Sequence, residues 1–205
     1  MALALILGYL IGGIPTGIIV CRAIAGVDPR SLGSGSMGAT NVSRVVGKKW
    51  AAVVLILDTL KGLLPILVLA RLLAPPDYSL TLLHSDQEIL VRIALAFGAV
   101  IGHVWTPYAS FRGGKGIATG AGAVLALDPP AMVLAVGVWI LLFALFRRVS
   151  VASLGGAVAV PLTMIFLGGR PQLFVWAAVV LCMLLIFTHR ENIHRLLTGR
   201  EKPIA

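Results

Sequence analysis

Five long apolar segments without a charged side chain limit what this chain can fold into. They are residues 2–21, 93–111, 129–146, 149–169 and 171–188, and none contains Lys, Arg, Asp or Glu. Each approaches or exceeds the roughly 17 to 25 residues that a helix needs to cross a bilayer. Charged residues make up only 12% of the chain, and the mean hydropathy is +0.99, outside the range of soluble domains. The sequence therefore predicts an all-α, polytopic membrane protein.

Two further segments bring the predicted number of transmembrane helices to about seven. Residues 50–74 form one despite Asp58 and Lys61, and residues 116–127 form a short one that ends before two prolines. If the short segment entered the membrane and returned, both the helix count and the downstream orientation would change. No linker or internal repeat interrupts the pattern, so a single membrane domain over residues 1–205 is expected.

The distribution of cations predicts the orientation of the chain. Lys and Arg near membrane spans are retained on the cytoplasmic side. With the N-terminus outside, the cytoplasmic segments hold 13 of the 17 Lys and Arg residues, and the opposite loops hold four acidic residues, Asp77, Asp86, Glu88 and Asp128. The cytoplasmic cations are Arg22, Arg30, Arg44, Lys48, Lys49, Arg112, Lys115, Arg147, Arg148, Arg190, Arg195, Arg200 and Lys202. The C-terminus is then cytoplasmic. The first segment has no basic residue before it and is expected to be retained, not cleaved as a signal peptide.

The net charge of +9 narrows the class of partner. Nucleic acid is not expected, because the cations are spread over loops beside membrane spans and no soluble domain offers a groove. Anionic lipid head groups and phosphorylated substrates fit better. Cys21 and Cys182 lie at or within spans and lack metal-ligand spacing, so they are interpreted as small apolar residues. No metal or cofactor is predicted.

Three polar segments, all expected on the cytoplasmic side, interrupt the apolar pattern. The first, motif 1 (residues 33–44), is rich in Gly, Ser and Thr and ends in Arg44. Backbone N–H groups and hydroxyls suit an anion, and an arginine grips phosphate through two hydrogen bonds. A flexible interhelical loop is the alternative. Asn41 and Arg44, three residues apart, favour binding because they could share the face of a helix start.

Motif 2 (residues 102–119) places Gly113, Gly114, Lys115 and Gly116 directly before an apolar run. Glycine amides at a helix N-terminus attract anions, and Lys115 adds a full charge. The motif is not a Walker A loop, because a glycine stands where the magnesium-binding hydroxyl is required, so nucleotide hydrolysis is disfavoured. His103 is interpreted as a structural hydrogen-bonding group more readily than as a catalyst.

Motif 3 (residues 189–201) follows the last span directly. His189 and Asn192 are three residues apart and share a helical face. A basic amphipathic tail on anionic lipid is the alternative interpretation. Within the span at residues 50–74, Asp58 and Lys61 are expected either to form a structural ion pair or to line the active site. The three motifs are expected to meet at one site.

Taken together, the three motifs resemble those of the bacterial acyl-phosphate:glycerol-3-phosphate acyltransferase family. The matching residues are the Gly-Ser-Gly and Gly-Ala-Thr-Asn runs with Arg44, then Gly-His followed by Gly-Gly-Lys-Gly-Ile-Ala-Thr, then His189 with Asn192-Ile193, Arg195 and Glu201. The segment from Asp58 to Gly62 also resembles a family feature. Ser36 departs from the pattern, since the family usually has Asn there; a serine is shorter and lacks the paired donor and acceptor of an amide.

The resemblance implies transfer of a fatty acyl group from acyl phosphate to the 1-hydroxyl of glycerol-3-phosphate, at the cytoplasmic face of the bacterial cell membrane. Membrane lipid and the enzyme that forms the acyl phosphate are implied partners. Carried over residue by residue, the catalytic candidates are Lys115, Ser34, Arg44, His189 and Asn192. The substrate-binding candidates are Gly33, Gly35, Ser36, Thr40, Asn41, His103, Gly113, Gly114, Gly116, Thr119, Arg195 and Glu201.

The residues leave the source of base catalysis open. None of the four histidines, at 84, 103, 189 and 194, has the Asp five residues later that other glycerolipid acyltransferases use as a pair. A substrate phosphate oxygen could accept the hydroxyl proton, because phosphate is a good leaving group and positioning could suffice. His189 as general base is the alternative. A small transporter for a phosphorylated anion and a lipid-binding scaffold are the competing function classes.

Overall fold

The computed structural model describes residues 1–74 and 86–201, and within these ranges the chain is all α-helical. Asp77, His84 and Lys202, which entered the sequence analysis, lie outside the described residues. The chain divides into two compact units, Met1–Ala126 (unit 1) and a second beginning at Leu127 (unit 2). The single domain over residues 1–205 stays a prediction.

Unit 1 contains a broken first span, because two glycines and a proline separate its two helices. These helices are α1 (Ala2–Gly12) and α2 (Thr16–Ala25). Pro15 has no N–H to continue the helical ladder, which accounts for the break. The next helices are α3 (Ala39–Val46), α4 (Lys48–Leu73) and α5 (Asp86–Val104). Short 3-10 turns at Pro29–Ser31 and Pro107–Ala109 shape the loops that hold motifs 1 and 2.

Helices of unit 1 pack at glycine contacts. A Cβ at Gly12 of α1 would overlap the backbone of Ala99 in α5, and one at Gly62 of α4 would overlap the carbonyl of Thr119. Close backbone approach at small residues is the usual way in which membrane helices associate. Thr119 belongs to α6 (Ile117–Leu127), so these contacts place motif 2 between α5 and α6.

Unit 2 contains α7 (Pro129–Phe146), α8 (Val149–Leu167), α9 (Gln172–Thr188) and α10 (Arg190–Leu197). The Asp128 carboxylate caps α7 by accepting the Ala131 N–H at 3.0 Å, and it also binds the Arg170 guanidinium at 2.7 Å. α9 and α10 meet at a bend of 60°, where His189 lies. The bend directs motif 3 away from the axis of the last span.

The structure confirms a polytopic helical membrane protein, with five helices or broken helices in the described residues that are long and apolar enough to span, and up to six if the bent α9–α10 pair is counted. The helix predicted at 93–111 in fact begins seven residues earlier, since Arg92 and Glu88 pair within it at 2.6 Å and reduce the cost of their charges.

The seventh predicted span is present as a helix but is short. α6 has 11 residues. At 1.5 Å per residue it is about 16 Å long, roughly half the thickness of a hydrocarbon core. Its crossing of the membrane, and the orientation of the termini, stay predictions. Cys21 and Cys182 are buried and not disulfide-bonded, as expected of small apolar residues.

Candidate active site

The loop of motif 1 is organised by one buried amide. The Asn41 Nδ2 group donates to the carbonyls of Pro29 (2.7 Å), Leu32 (3.1 Å) and Ser36 (2.8 Å), and its Oδ1 accepts the Ser34 N–H at 2.8 Å. Asn41 is 1% exposed. An amide supplies both donors and an acceptor, which is what a loop of unpaired backbone groups requires. The predicted substrate-binding role of Asn41 is therefore corrected: this side chain shapes the loop.

Two glycines of motif 1 are required by the same arrangement. Gly33 and Gly35 have φ of +58° and +70°, in the left-handed region, and a Cβ at Gly33 would overlap the Asn41 Oδ1. The Ser36 Oγ accepts the Gly38 N–H at 3.2 Å, so the residue that departs from the family pattern also serves the loop. Ser34 and Arg44 are exposed and Thr40 is half-buried, which leaves the first two accessible to a ligand.

Arg30 joins motif 1 to motif 2, a role that the sequence analysis missed. Its Nη1 donates to the carbonyls of Ala109 (2.8 Å) and Arg112 (3.2 Å), while Nε and Nη2 bind the two oxygens of Asp28 at 3.0 and 2.8 Å. The hydrogen bond from Arg30 is the main reason that the pKa of Asp28 falls to about 2, and the same bond raises the pKa of Arg30. An Asp-Pro-Arg sequence directly before a glycine-rich loop was the available signal.

The glycine amides at the start of motif 2 are already used within the protein. Gly113 donates its N–H to the carbonyl of Val104, and Gly114 to that of His103, both at 3.0 Å. The loop thus folds back and satisfies carbonyls at the end of α5 that have no partner within the helix. The predicted anion cradle is corrected for these two amides. Anion binding is left to Lys115, which is half-buried, and to the N-terminus of α6, which Gly116 opens with φ +85°.

Asp58 and Lys61 form the ion pair that was one of the two expectations. The Lys61 Nζ lies 2.8 Å from the Asp58 Oδ1, and their side chains are 5% and 2% exposed. Thr16 donates its hydroxyl to the same carboxylate oxygen at 2.5 Å, and Lys61 also donates to the carbonyl of Ile14 at 2.9 Å. An apolar cleft of about 370 Å³ beside the break between α1 and α2 is lined in part by Thr16 and Lys61.

His103 and Thr119, both predicted to bind substrate, lie inside unit 1. The His103 Nδ1 is 3.5 Å from the Asp58 Oδ1, and a Cβ at Gly114 would overlap the His103 Nε2. Thr119 is fully buried, and its hydroxyl has no hydrogen-bond partner among the described residues. His103 therefore supports the backbone of motif 2, which agrees with the structural interpretation of this histidine.

Motif 3 is organised by a carboxylate. The Glu201 side chain accepts hydrogen bonds from Ser150 (2.8 Å), Asn192 (2.7 Å) and Arg195 (2.7 Å), and its backbone carbonyl accepts from Arg148 at 3.0 Å. Burial opposes ionisation of Glu201, but these bonds outweigh it, and the pKa is lowered. Arg195 and Glu201 were predicted to bind substrate; in the structure they bind each other. The sequence analysis missed Ser150 and Arg148, which lie far away in sequence.

His189 has a defined ring orientation at the bend between α9 and α10. It is 3% exposed, and its Nδ1 lies 2.7 Å from the carbonyl of Leu185. A carbonyl can only accept, so Nδ1 carries a proton and Nε2 holds the lone pair in the neutral ring. The predicted meeting of all three motifs at one site stays a prediction. The described residues include no group of three or more His, Cys, Asp or Glu that could hold a metal ion.

The fold and these motifs define a class: a multi-pass helical membrane protein whose conserved-type glycine loops and cations follow the ends of apolar helices. The glycerol-3-phosphate acyltransferase family model matches residues 2–199. The glycerol-3-phosphate acyltransferase of Pseudomonas paraeruginosa (strain DSM 24068 / PA7) is 44% identical over 197 residues, 96% of each chain. That of Prochlorococcus marinus (strain NATL1A) is 40% identical over 206 residues, 99% of this chain and 98% of the relative.

Solved structures give the same result. The crystal structure of PlsY, an integral membrane glycerol 3-phosphate acyltransferase in its glycerol 3-phosphate form, matches with a TM-score of 0.86 and 36% identity, over 100% of this chain and 95% of that one. Its lysophosphatidic acid form matches with a TM-score of 0.84 and 35% identity over the same shares. The chain belongs to the glycerol-3-phosphate acyltransferase family and is a membrane acyltransferase, which disfavours the transporter and the scaffold.

Proposed function

We propose that this protein transfers a fatty acyl group from acyl phosphate to the 1-hydroxyl of glycerol-3-phosphate, forming lysophosphatidic acid and inorganic phosphate. The observation that carries the proposal is the arrangement in unit 1. Arg30 ties the loop that exposes Ser34 and Arg44 to the loop that precedes Lys115. Both proposed substrates carry a phosphate, so the reaction requires cations and hydrogen-bond donors on more than one loop.

In the proposed reaction the glycerol oxygen attacks the acyl carbonyl carbon, and the bond between that carbon and the phosphate oxygen breaks. The phosphate leaves with the bonding electron pair. Lys115 and Arg44 stabilise negative charge on phosphate groups, and Ser34 donates its hydroxyl to one of them. Groups held in place before the reaction stabilise developing charge most effectively, and the fixed loops of motifs 1 and 2 support such a role.

A phosphate oxygen of the substrate is the proposed acceptor of the hydroxyl proton. Among the described histidines none is followed by an aspartate partner at the spacing of other glycerolipid acyltransferases. His189 as general base is the second candidate, because its Nδ1 contact with Leu185 leaves the Nε2 lone pair to accept a proton. Asn192 contacts Glu201 and is proposed to support motif 3 during turnover.

The proposed location is the bacterial cell membrane, with the motifs on the cytoplasmic side. The asymmetry of cations supports this orientation. Membrane lipid and the enzyme that forms acyl phosphate are the proposed partners, and the acyl chain is proposed to lie among the helices. Single cysteines at Ser34, Gly114 and Asn192 should react with an impermeant thiol reagent only after the cell is opened; labelling from outside would contradict the orientation.

The activity is tested with purified full-length protein and a choice of donors. Acyl phosphate, acyl-CoA and acyl-carrier-protein thioester are each supplied with glycerol-3-phosphate, and lysophosphatidic acid is measured. We expect product with acyl phosphate only, together with one equivalent of phosphate. Equal use of a thioester donor would reject the proposed donor while leaving the acyltransferase class intact.

A further inference from the structure

One buried carboxylate, that of Asp58, contacts side chains from three segments of unit 1. Its Oδ1 accepts from Thr16 at the start of α2, lies 2.8 Å from Lys61 Nζ one turn further along α4, and lies 3.5 Å from His103 Nδ1 near the end of α5. The Asp58 side chain is 2% exposed. Charges within a membrane span are costly and are usually retained where they serve a function.

The contact with His103 continues to motif 2. The opposite ring nitrogen, Nε2, lies against Gly114 so closely that a Cβ there would overlap it. The Gly114 N–H also donates to the His103 carbonyl at 3.0 Å. Both the ring and the main chain of His103 therefore support Gly114, and the next residue is Lys115.

Lys61 connects the same carboxylate to the break in the first span. Its Nζ donates to the Ile14 carbonyl at 2.9 Å while it pairs with Asp58. The carboxylate is thus held from two sides, by Thr16 and by Lys61, and its position relative to His103 is defined.

We propose that Asp58 is a positioning residue for acyl transfer: it orients the His103 ring with Nδ1 toward the carboxylate, and the ring sets the position of Gly114 and Lys115. The inference rests on the proposed function, because Lys115 acts on a substrate phosphate there. Misplacement of a reacting group by about 1 Å costs roughly 100-fold in rate, so small shifts of this loop are expected to matter.

The test must separate positioning from the stability of the ion pair. Asp58→Asn alone leaves an uncompensated buried lysine, which destabilises a protein strongly. The double variant Asp58→Asn/Lys61→Met removes both charges and keeps an acceptor for Thr16. If Asp58 served only the pair, this folded double variant would have wild-type activity. Positioning predicts kcat/KM lower by roughly 10- to 100-fold at an unchanged unfolding temperature, with acyl phosphate and glycerol-3-phosphate as substrates.

His103→Gln is the second variant, since it leaves the ion pair in place. We expect a similar loss, and the triple variant with Asp58→Asn/Lys61→Met should be no less active than the weaker of the two parents. Asp128→Asn is the matched control: this carboxylate is also buried and paired, with Arg170, but lies outside the motifs. It should lower the unfolding temperature and keep kcat/KM within about twofold of wild type.

A spectroscopic measurement reports on the ring directly. In protein labelled with [15N]histidine, the His103 signals are identified by their loss in His103→Gln, and Nδ1 should be protonated in wild type and change in Asp58→Asn/Lys61→Met. Wild-type kcat/KM in either variant, multiplied losses in the triple variant, or an unprotonated Nδ1 would overturn the inference. A wild-type enzyme that produces no lysophosphatidic acid, with the histidine signals as expected, would instead reject the proposed function.

Discussion

The loop of motif 1 and the turn of motif 3 are held by opposite kinds of central side chain. In motif 1 a neutral amide, Asn41, makes four contacts with backbone groups. In motif 3 an anion, Glu201, accepts from the side chains of Ser150, Asn192 and Arg195. An amide both donates and accepts, which suits a loop of unpaired backbone; a carboxylate only accepts, which suits a cluster of donors.

The difference has a consequence for pH. The shape of motif 1 rests on a group that does not titrate, whereas the shape of motif 3 depends on the charge of Glu201. Hydrogen bonds to ionised groups are the stronger kind, so each bond of Glu201 is expected to exceed a bond of Asn41. Asn41 compensates by number and by burial, since it is 1% exposed.

Lys115→Ala tests whether charge, and not loop shape, dominates the chemistry of unit 1. We expect turnover to fall by roughly 100- to 1,000-fold, as when about 3 to 4 kcal/mol of charge stabilisation in the transition state is lost. The assay is phosphate release from acyl phosphate with glycerol-3-phosphate. Lys48→Ala, which removes an exposed cation at the start of α4, is the control and should be nearly neutral. A folded Lys115→Ala protein with near-normal turnover would exclude this role.

Asn41→Leu tests the neutral centre of motif 1. Leucine has a similar volume but leaves the Ser34 N–H and three carbonyls without their partner, so the free energy of unfolding should fall by about 3 kcal/mol. Thermal unfolding in detergent measures the change. Ser43→Ala on the same helix, which loses one half-buried bond to the Thr40 carbonyl, should cost under about 1 kcal/mol. Equal losses in the two variants would show that Asn41 is not the organiser.

His189→Gln separates the two sources of base catalysis. If a substrate phosphate takes the proton, the variant should lose less than the roughly 100-fold that a general base contributes. The pH profile of wild-type kcat should then lack a limb near the unperturbed histidine pKa of about 6.5. Complete loss of activity in His189→Gln, together with such a limb in the wild type, would make His189 the base.

Glu201→Gln tests the charged centre of motif 3 and has the smallest expected effect. The variant should lose about 1 kcal/mol of stability at pH 7, because Arg195 is 36% exposed and water screens the pair. The folded-state pKa of Glu201 is lowered, so its contribution is present above the unfolded value of about 4.3 and is lost as pH falls through the folded pKa.

The measurement is the unfolding temperature of both proteins between pH 7 and pH 3. Wild type and Glu201→Gln should converge at the acidic end, since the wild-type carboxylate becomes protonated there. The same comparison for Asn41→Leu should show a difference that does not change with pH. A pH-independent difference for Glu201→Gln would contradict the contrast between the two motifs.

The helices could be predicted from the sequence because each lies in a long apolar run, and lipid requires backbone groups to pair within a helix. The start of α5 could not, since the charges of Glu88 and Arg92 interrupted the apolar pattern and only their pairing brings them into the helix. The exposed candidates Ser34 and Arg44 were found by residue type and spacing. Asn41 and Glu201 were found as important residues but assigned the wrong contacts, because residue type alone does not say whether a polar group faces a ligand or the backbone.

The sequence by itself determined that this is a helical membrane protein and that its polar residues are concentrated in three short motifs, since hydropathy and spacing are local properties of the chain. Tertiary structure decided which polar groups are already satisfied. Arg30 meets the Ala109 carbonyl 79 residues away, and Ser150 meets Glu201 across 51 residues. Such pairings depend on how helices pack, and the cost of an unpaired buried group then decides which side chains build a loop and which are left for chemistry.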